Sequence, residues 1–166
     1  MKRLKLNPEF FYRHLVVCLL MFGMGCWFGY DGFVRYPATP AAELYEKIES
    51  SKPPEGFNLD AFKRQKIQSQ YGFTALCLLA SMLIGINLAS VASFRFEFDD
   101  SGFIWRGKKL PISDIKSVDR SQWKKKGIVK LLLADGSRVT LDCWHHLGVK
   151  DFEKLLPPRS YTRGGC

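Results

Sequence analysis

The sequence predicts a membrane α-helical hairpin joined to a small α+β domain. Two uncharged apolar blocks, residues 14–30 and 71–94, are each framed by charged residues. Beyond the second block the apolar period shortens from helical spacing to strict alternation. The charge is also uneven: a formal net charge of +9 over 166 residues collects at the N-terminus and in the C-terminal part.

Residues 1–13 form a basic N-terminal tail, with Lys2, Arg3, Lys5 and Arg13 against Glu9 alone. The first span, residues 14–36, is built on "HLVVCLLMFGMGCWFGY". A helix needs about 20 apolar residues to cross the hydrocarbon core. This block is at the short end, but Phe10, Phe11 and Tyr12 extend it and Arg13 can snorkel. A secretory leader would also begin with basic residues, yet no small-x-small cleavage pattern follows, and Trp27 and Phe28 occupy the exit.

Residues 37–70 form a helical extramembrane connection. "TPAAELYEKIESS" has Thr39 as N-cap and Pro40 at the first helical position, with Leu44, Tyr45 and Ile48 on one face. That stripe calls for a cover, from the headgroup region or a partner. Asn58 caps a second helix, which is expected to run unbroken into the second span, residues 71–93. Small residues recur in both spans: Gly25 and Gly29 in the first, and Ser81, Gly85, Ala89 and Ser93 four apart in the second. Such stripes let helix backbones approach closely in lipid. Asn87 is the amide of the second span and is expected to serve helix packing.

Residues 94–158 read as an antiparallel sheet of five or six strands with one C-terminal helix. In "FRFEF", Phe94, Phe96 and Phe98 alternate with charges, as in a half-buried strand. "DDSG" is a turn and "FIWRG" a second strand. Ile112, Ile115 and Val118 lie along an extended "LPISDIKSV", and "GIVKLLLADGSRVTLDCW" is a hairpin turning at Asp135-Gly136. "VKDFEKLL" offers Val149, Phe152, Leu155 and Leu156 to one helical face, stopped by Pro157-Pro158, and a tail follows at 159–166. The strand-meander-then-helix order, with "LPISDIKSV" and "LLLADGSRVTL", resembles the pleckstrin-homology-like domains of small bacterial membrane proteins, where such a domain often follows a transmembrane hairpin. The resemblance implies a PH-like barrel, here reduced or open because the full fold has seven strands.

The stretch "DCWHHLG", residues 142–148, gathers a cysteine, two histidines and a tryptophan. His145 and His146 fall in a turn and diverge, and no CxxC or HxxxH completes a ligand set, so the stretch reads as structural. Five cysteines, Cys18, Cys26, Cys77, Cys143 and Cys166, show no paired spacing and fit a reducing compartment. "RSQWKKKG" joins Trp123 to Lys124, Lys125 and Lys126, with Arg120 nearby. Aromatic plus basic residues beside a span suit anionic lipid headgroups or a protein partner.

From Phe94 onward fifteen Lys or Arg face nine Asp or Glu, so the positive-inside rule puts both termini in the cytoplasm, against the contrary signal of "KRQK" at 63–66. The expectation is a non-enzymatic integral membrane protein, without cofactor or metal, whose cytoplasmic β domain makes protein or lipid contacts. The alternative is an accessory subunit of a larger membrane complex, bound through its helices to other integral membrane proteins or to itself. Nucleic acid is the disfavoured partner for the basic surface.

Overall fold

The structure, a computed structural model, describes residues 1–157, so Pro158 and the tail at 159–166, with Cys166, lie outside the described residues. It divides into two units, one of Arg13–Leu88 and one of Met1–Tyr12 with the residues from Ala89 onward.

The first helix, α1 (Pro8–Tyr30), does not stop at the first charge after the apolar block. It continues through a π-helical turn, Asp31–Arg35, into α2 (Tyr36–Ala38). Thr39 breaks it in an extended conformation, its hydroxyl donating back to the Arg35 carbonyl at 2.8 Å. Thr39 therefore closes the preceding helix, and Pro40 takes the N-cap of α3 (Ala41–Glu49). The apolar stripe of α3 is covered within the chain. Leu44 is buried, and the Tyr45 ring lies 5.0 Å from both Phe57 and Phe62. Asn58 accepts the Ala61 N–H at 2.9 Å and opens α4 (Leu59–Ser93), which runs 35 residues without a break. Lys63, on its first turns, donates to the Pro37 and Thr39 carbonyls, tying down the open C-terminal end of α2.

Pro8–Ala38 and Leu59–Ser93 are both long and apolar enough to cross a membrane. Leu19, Leu20, Phe22 and Trp27 on α1, and Leu76, Leu79, Met82, Leu83 and Ile86 on α4, are each more than half exposed.

The other unit begins with an unexpected use of the basic tail. Residues 2–6 are two short strands, β1 (Lys2–Arg3) and β2 (Lys5–Leu6). They are followed in the chain by β3 (Phe96–Asp99), β4 (Gly102–Trp105), β5 (Lys108–Pro111), β6 (Ile115–Asp119), β7 (Ile128–Leu133), β8 (Arg138–Asp142) and β9 (His146–Leu147). The sheets are β1-β3-β4-β5, β6-β7-β8 and the pair β2-β9. All pairings are antiparallel, with Lys2 opposite Phe98 and Lys5 opposite Leu147. Leu4, between the two tail strands, donates its N–H to the Phe96 carbonyl at 3.0 Å and is 3% exposed. One-turn α5 (Trp123–Lys126) joins β6 to β7, and α6 (Val149–Glu153) closes the unit.

Alternation decides this core. Phe96 and Phe98 point inward from β3, and Val129, Leu131 and Leu133 point inward from β7. Phe152 of α6 meets Phe96, Phe98 and Phe103 edge-on at 4.9, 5.1 and 5.9 Å. "LPISDIKSV" is not one extended run: Pro111 ends β5, a 3-10 turn covers Ile112–Asp114, and β6 starts at Ile115. At the Asp135-Gly136 hairpin, Gly136 has φ +82, a conformation glycine enters without steric cost, and Asp135 accepts the Ser137 N–H at 2.8 Å.

Truncating Leu4 to alanine removes a buried side chain and is expected to cost the domain about 2–5 kcal/mol. Deleting residues 1–6 should, in addition, speed amide exchange in β3 and β9. Unchanged exchange in the truncated chain would show that the tail strands add nothing to the domain.

Candidate functional site

The Trp123 segment is one helical turn at the β6–β7 connection, ended at Gly127. Trp123 packs against the domain core, while Lys124, Lys125 and Lys126 are exposed. Arg120 is placed differently. Its Nε donates to Glu153 at 2.8 Å and its Nη1 to the Pro157 carbonyl at 3.1 Å, and both side chains of the ion pair are mostly buried. Arg120 thus fastens the loop to α6, and the free positive charge of the segment is the three lysines.

In "DCWHHLG", the two imidazoles diverge at 88° with centroids 6.3 Å apart. His146 lies in β9, opposite Leu6, and is 6% exposed. Its Nε2 is 3.2 Å from the Val91 carbonyl, which can only accept, so Nε2 carries the proton. Burial pushes this imidazole below its ordinary pKa, against the opposing pull of that hydrogen bond. His145 faces the N-terminal segment: the Phe10 ring lies 4.5 Å away, and Asn7 donates its backbone N–H to the His145 carbonyl and its amide to that of Trp144. Burial raises the Cys143 thiol, the reverse of what a nucleophile needs. The backbone carbonyls of Trp144 and His145, with the His145 ring, dock Asn7 and Phe10.

The helix-packing residues divide. Adding a Cβ at Gly25 would bring it 2.8 Å from Leu78 Cδ2, and at Gly32 3.0 Å from Gln70 and Tyr71, whereas Gly29 keeps an ordinary 3.6 Å from Thr74. Ser81 is buried and donates to the Cys18 carbonyl at 3.1 Å, while the Cys18 thiol donates to the Ser81 carbonyl at 3.3 Å. A Cβ added at Gly85 would lie 3.9 Å from the Cys18 sulfur, but Asn87, Ala89 and Ser93 are exposed. A four-residue stripe rotates about 40° per step around a helix, so its later members leave the interface. The buried positions of α4 instead include Cys77, Ser81 and Leu88, at the four-then-seven spacing of a heptad seam. Gly32 and Cys77 were readable only through that spacing.

A further concavity, of about 430 Å³, lies where α4 passes into β3 and is bounded by Ser90, Ser93, Arg95, Glu97, Trp105 and Arg106. Arg106 and Gly107 form the two-residue turn between β4 and β5, with φ +50 and +77. Both central residues of such a turn need positive φ, where asparagine or glycine is usual. Arginine there costs on the order of 1 kcal/mol. The Arg106 guanidinium lies 5.5 Å from the Trp105 ring centroid, and the buried Trp105 Nε1 has no hydrogen-bond partner among the described residues. The sequence pattern marks this turn only by Gly107.

Compared with known proteins, the chain matches no family model, no curated protein sequence and no solved structure.

Two outcomes follow from these placements. The folded domain resists protonation of His146, so below about pH 6.5 the unfolded chain binds more protons and stability falls as pH falls. The melting temperature should drop between about pH 7.5 and 5.5, and His146→Gln should flatten that slope. Asp99, held below its ordinary pKa chiefly by the Ser101 hydroxyl, acts only in a more acidic window. Separately, Gly25→Val should lower the thermal stability of the full chain by more than Gly29→Ala or Ala89→Val. Equal effects would refute the assigned interface.

Proposed function

We propose that the chain is a non-enzymatic, two-span integral membrane protein, with a small cytoplasmic β domain that contacts lipid headgroups or proteins. The observation that carries this is the apolar exterior of α1 and α4: side chains such as Leu20, Trp27, Leu76 and Leu83, more than half exposed, would be costly in water and are at home in hydrocarbon. The pairing of residues 2–6 with β3 and β9 supports an even number of crossings, because it keeps the N-terminus with the C-terminal domain.

The orientation rests on the basic flanks. The opposing lysines of "KRQK" carry less weight than their number, since Lys63 is bound to helix-end carbonyls and Lys66 pairs with Glu49 at 3.6 Å. A PH-like form is part of the proposal. The four-stranded and three-stranded sheets with a closing α6 supply seven strands, one of them from the N-terminus. The heptad-spaced contacts of Cys18 and Gly25 with α4 support a hairpin of the two spans. The second reading, an accessory subunit, is favoured by the exposed Leu19, Gly23, Met24 and Trp27 groove of α1, a face open to another helix.

The reading is tested in membranes of the expressing cell. The chain should resist alkaline extraction. A reporter active only in the cytoplasm should work at the C-terminus and fail when inserted beside Gly56. Extraction by alkali, or the opposite reporter pattern, would overturn the topology. In nanodiscs, anionic lipid should slow amide exchange of α5, and reversing Lys124, Lys125 and Lys126 to glutamate should abolish that, each lysine contributing about 1 kcal/mol near the surface. A stoichiometric set of companions in mild detergent would favour the subunit reading.

A further inference from the structure

The cavity between the last turn of α4, the start of β3 and the β4–β5 turn holds two features that point to one kind of ligand. Arg106 occupies a left-handed backbone position that asparagine or glycine would fill with less strain, so the fold alone does not account for an arginine there. Among the described residues, neither Arg95 nor Arg106 forms an ion pair, although both line the cavity. Two guanidinium groups without a carboxylate partner ask for an anion with several oxygens, which is what a phosphate offers. Glu97 in the same wall sets the charge. Two arginines against one carboxylate leave a single positive charge, matched by a phosphodiester and overmatched by a doubly charged phosphomonoester.

We propose that this cavity binds the phosphodiester of a phospholipid headgroup. The lipid source rests on the reading of α4 as a membrane span, since the cavity lies at the end of that helix and Ser90 and Ser93 of its last turn line the wall. The site is separate from the lysines of α5, which offer charge on an open turn. It would bind one lipid stoichiometrically, where a basic patch only attracts a surface.

The test uses the full chain in maltoside micelles with a photoreactive phosphatidylglycerol, the cross-linked peptides being located by mass spectrometry. Label is expected within residues 94–107, displaced by unlabelled phosphatidylglycerol and not by diacylglycerol, which lacks the phosphate. Arg95→Gln and Arg106→Asn should each lower labelling about tenfold, the loss of one charge-assisted contact. Arg106→Asn suits the turn, so its loss of label would not reflect misfolding. Undiminished label in both variants, or equal displacement by diacylglycerol, would overturn the proposal. Displacement by inorganic phosphate would overturn the lipid source and leave a soluble phosphate as ligand. Alkaline extraction on the same membranes separates the two readings. A chain washed off by alkali refutes the membrane span, whereas one that stays in the membrane and takes no label refutes only the site.

Discussion

Backbone amides are obligatory hydrogen-bonding groups, and much of this molecule follows from where those of residues 2–6 find their partners. Lys2 and Arg3 extend the sheet at the edge of β3, and Lys5 and Leu6 take the two-residue β9, which has no other strand partner among the described residues. Between them Leu4 enters the core beside Phe96. A strand as short as β9 is not stable alone, so the segment that supplies its partner also fixes the chain between β8 and α6. The order continues through Asn7, which caps the first turn of α1 by accepting the Glu9 N–H and holds the Trp144 and His145 carbonyls. The domain is built from both ends of the sequence.

The parts of the fold that were legible in the sequence are those with a local period. Phe96 and Phe98 alternate with charges, "ADGS" carries its own turn chemistry, and Asn58 marks a helix start. The tail strands have no such signal. "RLKL" alternates, but over too few residues to outweigh its charge, and a two-residue strand is defined only by its distant partner. The small-residue stripe was half legible: Gly25 and Ser81 are at the interface, while Ala89 and Ser93 are not, because spacing by four drifts around a helix whose seam is set by threes and fours. The concavity at Arg95 and Arg106 was illegible, since it depends on the junction of a helix with a turn that no contiguous pattern records.

Composition misleads most where reactive side chains serve as structure. His146 keeps one proton to satisfy a carbonyl, Cys143 is a small side chain packed against the core, and Arg120 is a clamp on α6. Residue type alone would have assigned each to chemistry. The three lysines of α5 are the contrasting case, exposed and without such an internal task in the domain.

The tail strands also impose an order on assembly. Residues 2–6 are made long before the strands they pair with, so a chain that has not reached β3 cannot form these pairs. Until β3 and β9 emerge, the basic residues 2–6 lack the partners they have in the folded domain. Contacts so distant in sequence close slowly, because the loop entropy is lost before any pairing is gained. The pairing of residues 2–6 therefore waits for both β3 and β9, and its contribution to the domain comes late.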